Sequence, residues 1–235
     1  MTTLARYRDD ASPPALRAAI RDLAVRGVLP AVALLATGLL VGWLVVPPLS
    51  ALTGEDQLNV SFQSGRTATL DYVARLASTI GGVSGNAVIC VLATLLLWAM
   101  SRQWWLATLP VIALNLHIFV HIVTSTLVAR PRPNVEHLDI GQPTASFPSG
   151  HMGATTAQLL VVVLFLWFRV ENLAVRIVII TITGVYLFVL AWSRIYLGMH
   201  HPTDVIWGAI NGITCGLIAW LYLRRTSTQH PLKAE

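Results

Sequence analysis

The chain has 235 residues, of which 55% are hydrophobic and only 11% charged. Soluble domains carry about 25% charged residues, so this composition excludes an ordinary soluble enzyme and, by its apolar excess, a disordered chain. The net charge of +5 would suit a nucleic-acid binder, but its distribution follows membrane topology instead, and no nucleic-acid partner is inferred. Lys233 is the only lysine among the 16 basic residues.

Residues 1–27 hold Arg6, Arg8, Arg17, Arg21 and Arg26 among three acids. This pattern reads as a cytoplasmic amphipathic segment rather than a cleaved signal peptide. A bilayer-spanning helix needs about 20 mainly apolar residues. Six stretches meet that rule: 28–50, 82–100, 104–127, 150–168, 174–193 and 203–223. Residues 28–223 therefore read as an all-α, six-helix membrane domain, followed by a short cytoplasmic tail at 224–235. Between the first two spans, segment 51–81 contains a mildly amphipathic run at 67–77. It is expected to lie at the interface beside the substrate entrance, with a plain connecting loop as the alternative. Cys90 and Cys215 sit in apolar runs and read as packing residues, with no metal-binding cluster.

Basic residues fix the orientation. With the N-terminus inside, 11 of the 16 basic residues fall on the cytoplasmic side, so both termini are expected there.

Three polar clusters interrupt the apolar pattern, all at the outer ends of spans. They are Arg130-Pro131-Arg132-Pro133, then Pro148-Ser149-Gly150-His151, and finally Ser193-Arg194 with His200 and Asp204. Topology brings them to one depth on one face. Arg130, Arg132 and Arg194 in a small volume call for an anion, because guanidinium forks match phosphate oxygens. Ser149 stands where a helix would begin and is expected to cap it. The free N–H groups of Gly150 and His151 would add anion binding. His200 and Asp204 are four residues apart, so a shared helix face would let the carboxylate fix the imidazole tautomer. The other ring nitrogen is then free as a nucleophile, and His151 can protonate a leaving oxygen. His201, at spacing three from Asp204, is the weaker partner.

ProSerGlyHis with Ser-Arg-x5-His-x3-Asp resembles the type 2 phosphatidic acid phosphatase superfamily of membrane lipid phosphatases. The resemblance spans residues 50–223, with its motifs within 125–204. It implies a six-helix fold and metal-independent phosphoryl transfer without a cofactor. His200 would form a phosphohistidine, Asp204 would orient it and His151 would act as the acid. Arg132, Arg194, Ser149 and Gly150 would hold phosphate, with Arg130 beside them. A bacterial inner-membrane enzyme acting at the extracytoplasmic face follows, on isoprenyl diphosphate, phosphatidylglycerophosphate or phosphatidic acid. No oligomeric state is inferred.

One departure stands out. The family's first motif is Lys-x6-Arg-Pro, and counting back reaches Ser125 or Val123. A hydrogen bond to a charged group contributes about 1.5–3 kcal/mol, so the loss would weaken but not abolish phosphate binding. Arg130 would lean into the vacated volume, or Ser125 would donate its hydroxyl. His117, His121 and Ser125 form one helical stripe, read either as a pocket lining or as interhelical hydrogen bonding. Glu136, His137 and Asp139 either shape the head-group pocket or lie in a solvated loop. The eight Trp residues fit interfacial belts or packing. Two alternatives to a hydrolase share the scaffold: a phosphotransferase, and a catalytically impaired lipid-binding homologue.

Overall fold

The computed structural model describes residues 13–139 and 144–222. Residues 1–12 of the expected amphipathic segment and the 224–235 tail with Lys233 lie outside the described residues. Within the described residues all regular structure is helical, and six helices are long and apolar enough to cross a membrane. In chain order the helices are α1 (Leu16–Thr53), α2 (Glu55–Ser64), α3 (Ala68–Gly81), α4 (Val83–Ser101), α5 (Trp104–Val128), α6 (Gly150–Arg169), α7 (Leu173–Tyr196) and α8 (Pro202–Leu221). All but α2 and α3 are the candidate spans.

The first span begins well before the apolar stretch that marks it. α1 starts at Leu16, because an apolar window records membrane depth, while a helix runs on through Arg17, Arg21 and Arg26. It widens into π-helical turns at Ala24–Val28 and Val41–Val45. Each ends two residues before a proline, Pro30 and Pro47. A proline ring clashes with the carbonyl four residues back and lacks an N–H, and a π turn re-aims that carbonyl. α1 ends at Gly54, whose φ of 59° is left-handed and turns the chain directly into α2.

Segment 51–81 is therefore two helices rather than a loop. Thr67 Oγ1 accepts from the Leu70 N–H at 3.2 Å and caps α3.

α6 is the central element, packed on α8, α5, α7 and α4. Its closest partner is α8, and the approach depends on Gly208, Gly212 and Gly216, one per turn. A Cβ on Gly208 would come within 2.6 Å of the Ser149 carbonyl, and one on Gly216 within 2.9 Å of the Ala157 carbonyl. Small residues at this spacing let membrane helices meet backbone to backbone, where burial in lipid offers no hydrophobic gain. Far from the site, Trp105, Leu109, Phe165 and Trp220 form the apolar core. α7 shows the opposite face, with Ile182 at 65% and Phe188 at 75% exposure, as a lipid-facing helix requires.

Overpacking a close helix contact costs about 1–3 kcal/mol. Gly216→Val is expected to lower the thermal midpoint in detergent. Gly184→Ala, at a helical glycine facing open space, is expected to raise it slightly, by about 0.5–1 kcal/mol. Circular dichroism melts of the two variants check the contrast.

Candidate active site

The three polar clusters do meet at one end of the bundle. The loop after α5 carries Arg130 and Arg132, the start of α6 carries Ser149, Gly150 and His151, and the end of α7 carries Arg194. His200 and Asp204 flank the start of α8.

Asp204 is the hub. It is fully buried and makes contacts with both oxygens. Oδ1 accepts from Arg130 at 2.5 Å. Oδ2 accepts from the Ser146 hydroxyl at 2.6 Å and from the His201 N–H at 2.8 Å. Its backbone carbonyl accepts from the Ser149 N–H at 3.0 Å, tying α8 to the loop before α6.

The expected pairing of Asp204 with His200 takes a different form. α8 begins at Pro202, and His201 is its N-cap in extended conformation, with ψ of 158°. Residues 200 and 204 therefore share no helical face, and the side chain of Asp204 folds back to the N-cap in a capping box. His201 Nδ1 lies 3.1 Å from Asp204 Oδ2, whereas His200 Nδ1 is 4.0 Å away. His201, the weaker partner by spacing, is the closer one. His200 Nδ1 instead meets the Ser146 carbonyl at 2.7 Å. A carbonyl only accepts, so Nδ1 carries the proton and Nε2 keeps its lone pair. Asp204 thus reaches His200 through Ser146, which gives its hydroxyl to the acid and its carbonyl to the ring.

His200 is buried, and burial pushes its pKa well below the ordinary 6.5. The nearby guanidiniums of Arg194 and Arg132, and then His151, push the same way. The ring of His151 lies against the α3–α4 turn, with Nε2 3.5 Å from the position a Cβ on Gly82 would take.

The three arginines divide. Arg194 is buried, with Nη1 2.7 Å from Asp139 and bonded also to Ser78, while its Nε makes no hydrogen bond. Arg132 is anchored by the carbonyls of Met199 at 2.6 Å and Thr144 at 3.1 Å. Arg130 is committed to acids, with Glu55, Asp204, Ser50 and Thr203 around its guanidinium. It does not lean towards Ser125.

Ser149 occupies the N-cap position of α6, but its side chain does not cap the helix. Its hydroxyl is buried and makes no hydrogen bond. A buried hydroxyl without a partner costs about 1–3 kcal/mol, and here it stands beside the free N–H groups of a helix N-terminus, where an oxyanion is favoured.

The stripe on α5 packs beneath this loop. Ser125 Oγ reaches the Ala145 carbonyl at 3.4 Å. The ring of His121 lies against Gly150, where a Cβ would be 2.8 Å from Nε2. His117 stacks on His121 at 5.6 Å between centroids and occupies the space left by Gly153. The loop after α5 is also ordered by contacts. Glu136 pairs with Arg66 at 2.9 Å, His137 Nε2 meets the Pro133 carbonyl at 3.0 Å, and Asp139 holds Arg194.

Four groups around the site carry no signal in the sequence: Ser146, Glu55, Asn59 and Ser78. Glu55 and Asn59 are buried on α2. Asn59 Nδ2 donates to the His200 carbonyl at 3.1 Å and to that of Ile195 at 3.0 Å. Among the described residues, no group of three or more His, Cys, Asp or Glu is arranged to hold a metal ion.

The chain is 29% identical to the protein named "Putative undecaprenyl-diphosphatase YbjG" of Escherichia coli K12, over 67% of this chain and 79% of that one. It is 30% identical to the decaprenylphosphoryl-5-phosphoribose phosphatase of Mycobacterium tuberculosis, over 70% and 88% respectively. The fold matches the PAP2-type phosphatidylglycerolphosphate phosphatase of Bacillus subtilis, with a TM-score of 0.70, 21% identity and coverage of 80% and 93%. It also matches Aquifex aeolicus LpxE, with a TM-score of 0.55, 25% identity and coverage of 69% and 92%. Residues 104–227 match the PAP2 superfamily, and with the two histidines, two arginines and the helix-start loop gathered at one end of six apolar helices, the chain belongs to that superfamily of membrane phosphatases.

Proposed function

We propose that the chain hydrolyses a lipid phosphate or diphosphate through a phosphohistidine, with no metal or cofactor. The observation that carries this reading is the contact of His200 Nδ1 with the Ser146 carbonyl at 2.7 Å. The Nδ1 proton is committed to Ser146, so Nε2 is an unprotonated nucleophile beside Arg132 and Arg194. In the first step Nε2 attacks the terminal phosphorus and the bond from it to the leaving oxygen breaks; that oxygen belongs to the lipid alcohol in a monophosphate and to the lipid monophosphate in a diphosphate. His151 delivers a proton to that oxygen, and the lipid alcohol or lipid monophosphate leaves. In the second step water attacks the phosphohistidine, gives its proton to His151 and releases phosphate. Arg132, Arg194, the Ser149 hydroxyl and the N–H groups of Gly150 and His151 hold the non-bridging oxygens through both steps.

Polyprenyl-linked phosphates are the favoured substrates, since both curated relatives carry such a lipid in their names. Their long apolar chains would remain in the bilayer. The distribution of arginines favours cytoplasmic termini and an extracytoplasmic site, with residues 28–223 as the membrane phosphatase domain. The absence of the motif lysine supports a shift in rate or substrate preference. The site keeps both histidines, with Arg132 and Arg194 near His200, which favours hydrolysis over simple lipid binding.

Phosphate release from a panel of polyprenyl and glycerol lipid phosphates in detergent tests the reading. His200→Ala is expected to lose at least about 10³-fold in kcat, and His151→Ala about 10²–10⁴-fold. Excess chelator is expected to leave the wild type unchanged. Equal release by wild type and His200→Ala refutes the mechanism.

The pH dependence has a definite sign. Only neutral His200 attacks, and its depressed pKa keeps it neutral as pH falls through 6.5. The acidic limb of kcat/KM is therefore expected below pH 6.5. A rate profile that halves at or above pH 6.5 on the acidic side contradicts a buried neutral nucleophile.

A further inference from the structure

Arg130 belongs by sequence to an arginine-rich segment assigned to phosphate, yet its guanidinium lies between two buried acids. One is Asp204 and the other is Glu55 of α2, only 2% exposed. Thr203 Oγ1 lies between them, accepting from Arg130 at 2.8 Å and lying 2.9 Å from Glu55 Oε2. The Thr203 N–H, at the start of α8, donates to Glu55 Oε2 at 3.1 Å. Glu55 therefore meets the positive end of α8 from outside that helix, while Asp204 caps it from within.

Resting on the hydrolase reading above, we propose that Arg130 and Glu55 are positioning residues that hold Asp204, and through it His200, rather than phosphate ligands. The chain of contacts is continuous. Glu55 fixes Arg130, Arg130 fixes Asp204 Oδ1, and Asp204 Oδ2 takes the Ser146 hydroxyl. The Ser146 backbone carbonyl in turn accepts a hydrogen bond from His200 Nδ1. One turn along α2 from Glu55, Asn59 holds the backbone carbonyl of His200 itself. Helix α2 thus grips the proposed nucleophile twice, at its backbone and through its orienting acid.

The charges suit this task. Burial alone would raise the pKa of Glu55, but hydrogen bonds from Ser50, Arg130 and Thr203 outweigh it and hold the carboxyl below its ordinary value. Arg130 is then neutralised on two sides. A phosphate ligand would leave its guanidinium fork open to the oxyanion.

The test compares Arg130→Lys and Glu55→Gln with Arg132→Lys. It uses the full chain in detergent, with inorganic phosphate as the competing probe. Loss of positioning lowers kcat without touching anion affinity, and a small misplacement of a reacting group costs roughly 10²-fold. Arg130→Lys and Glu55→Gln are expected to lower kcat about 10- to 100-fold, with KM and the phosphate inhibition constant within about twofold of wild type. Arg132→Lys is expected to raise both constants at least about tenfold. A rise in the phosphate constant of Arg130→Lys matching that of Arg132→Lys overturns the proposal, as does unchanged kcat in both positioning variants. If Arg130→Lys fails to fold, Glu55→Gln carries the same test. A readout independent of turnover is the ¹⁵N NMR signature of the His200 ring, assigned by its loss in His200→Gln. The Nδ1–H tautomer is expected in wild type, and mixed tautomers in the positioning variants. Wild type that releases no phosphate from any lipid refutes the hydrolase reading alone. The His200 signals then still decide, and unchanged signals in both variants overturn the positioning.

Discussion

Taking a carboxylate out of water costs several kcal/mol unless its lone pairs are filled and its charge is matched. Asp204 is fully buried at the end of a membrane helix bundle, and much of the site can be read as the answer to that cost. Arg130 supplies the opposite charge. Ser146 and the His201 N–H supply donors, and the start of α8 adds its dipole. Arg130 and Ser146 stand at opposite ends of the α5–α6 connection, and the other two contributions come from the start of α8 itself. Satisfying this one acid therefore draws both ends of that connection to the N-terminus of α8.

The same requirement accounts for the order of α2 and the burial of its polar residues. Matching Asp204 with Arg130 leaves a guanidinium that must itself be enclosed, and Glu55 completes the enclosure. Asn59 then meets the backbone carbonyl of Ile195, in the last turn of α7, and that of His200, which lies between α7 and α8. Carbonyls at a helix end and in the connection after it lack the regular helical partner, and a side-chain amide stands where water otherwise would. A segment that reads as connecting chain is in this way stitched over the site by contacts more than 130 residues apart in sequence.

That distance is also why this part is illegible in the sequence. The spans are readable because about 20 apolar residues in a row suit a bilayer and little else. The polar clusters at 130–133, 148–151 and 193–204 are readable because charge inside an apolar run demands a reason. Glu55, Asn59, Ser78 and Ser146 lie in polar surroundings, where a side chain facing water and one facing a buried guanidinium look alike. The partner of Asp204 differs from expectation for a local cause. Spacing of four implies a shared face only inside a helix, and His200 precedes one. With Pro202 at the first turn, His201 takes the N-cap and the capping box decides which histidine the acid touches.

The missing motif lysine acquires a physical setting from α5. Ser125, His121 and His117 lie under the loop 145–150 and the first turn of α6, each against a different backbone position. A lysine at Ser125 would need about four methylenes of space and an anion within reach, while the site offers a buried position and a carbonyl at 3.4 Å. A small hydroxyl suits that position as a spacer between α5 and the loop. The loop in turn presents the Ser149 hydroxyl, buried and without a hydrogen bond, beside free N–H groups at the start of α6. Neutral donors of this kind, pre-placed in a low-dielectric site, stabilise an oxyanion without the desolvation cost of a further buried cation. With Arg130 committed to acids and a serine in place of the motif lysine, the proposed phosphate would meet positive charge from Arg132 and Arg194, and the backbone of the helix start would carry correspondingly more of the binding.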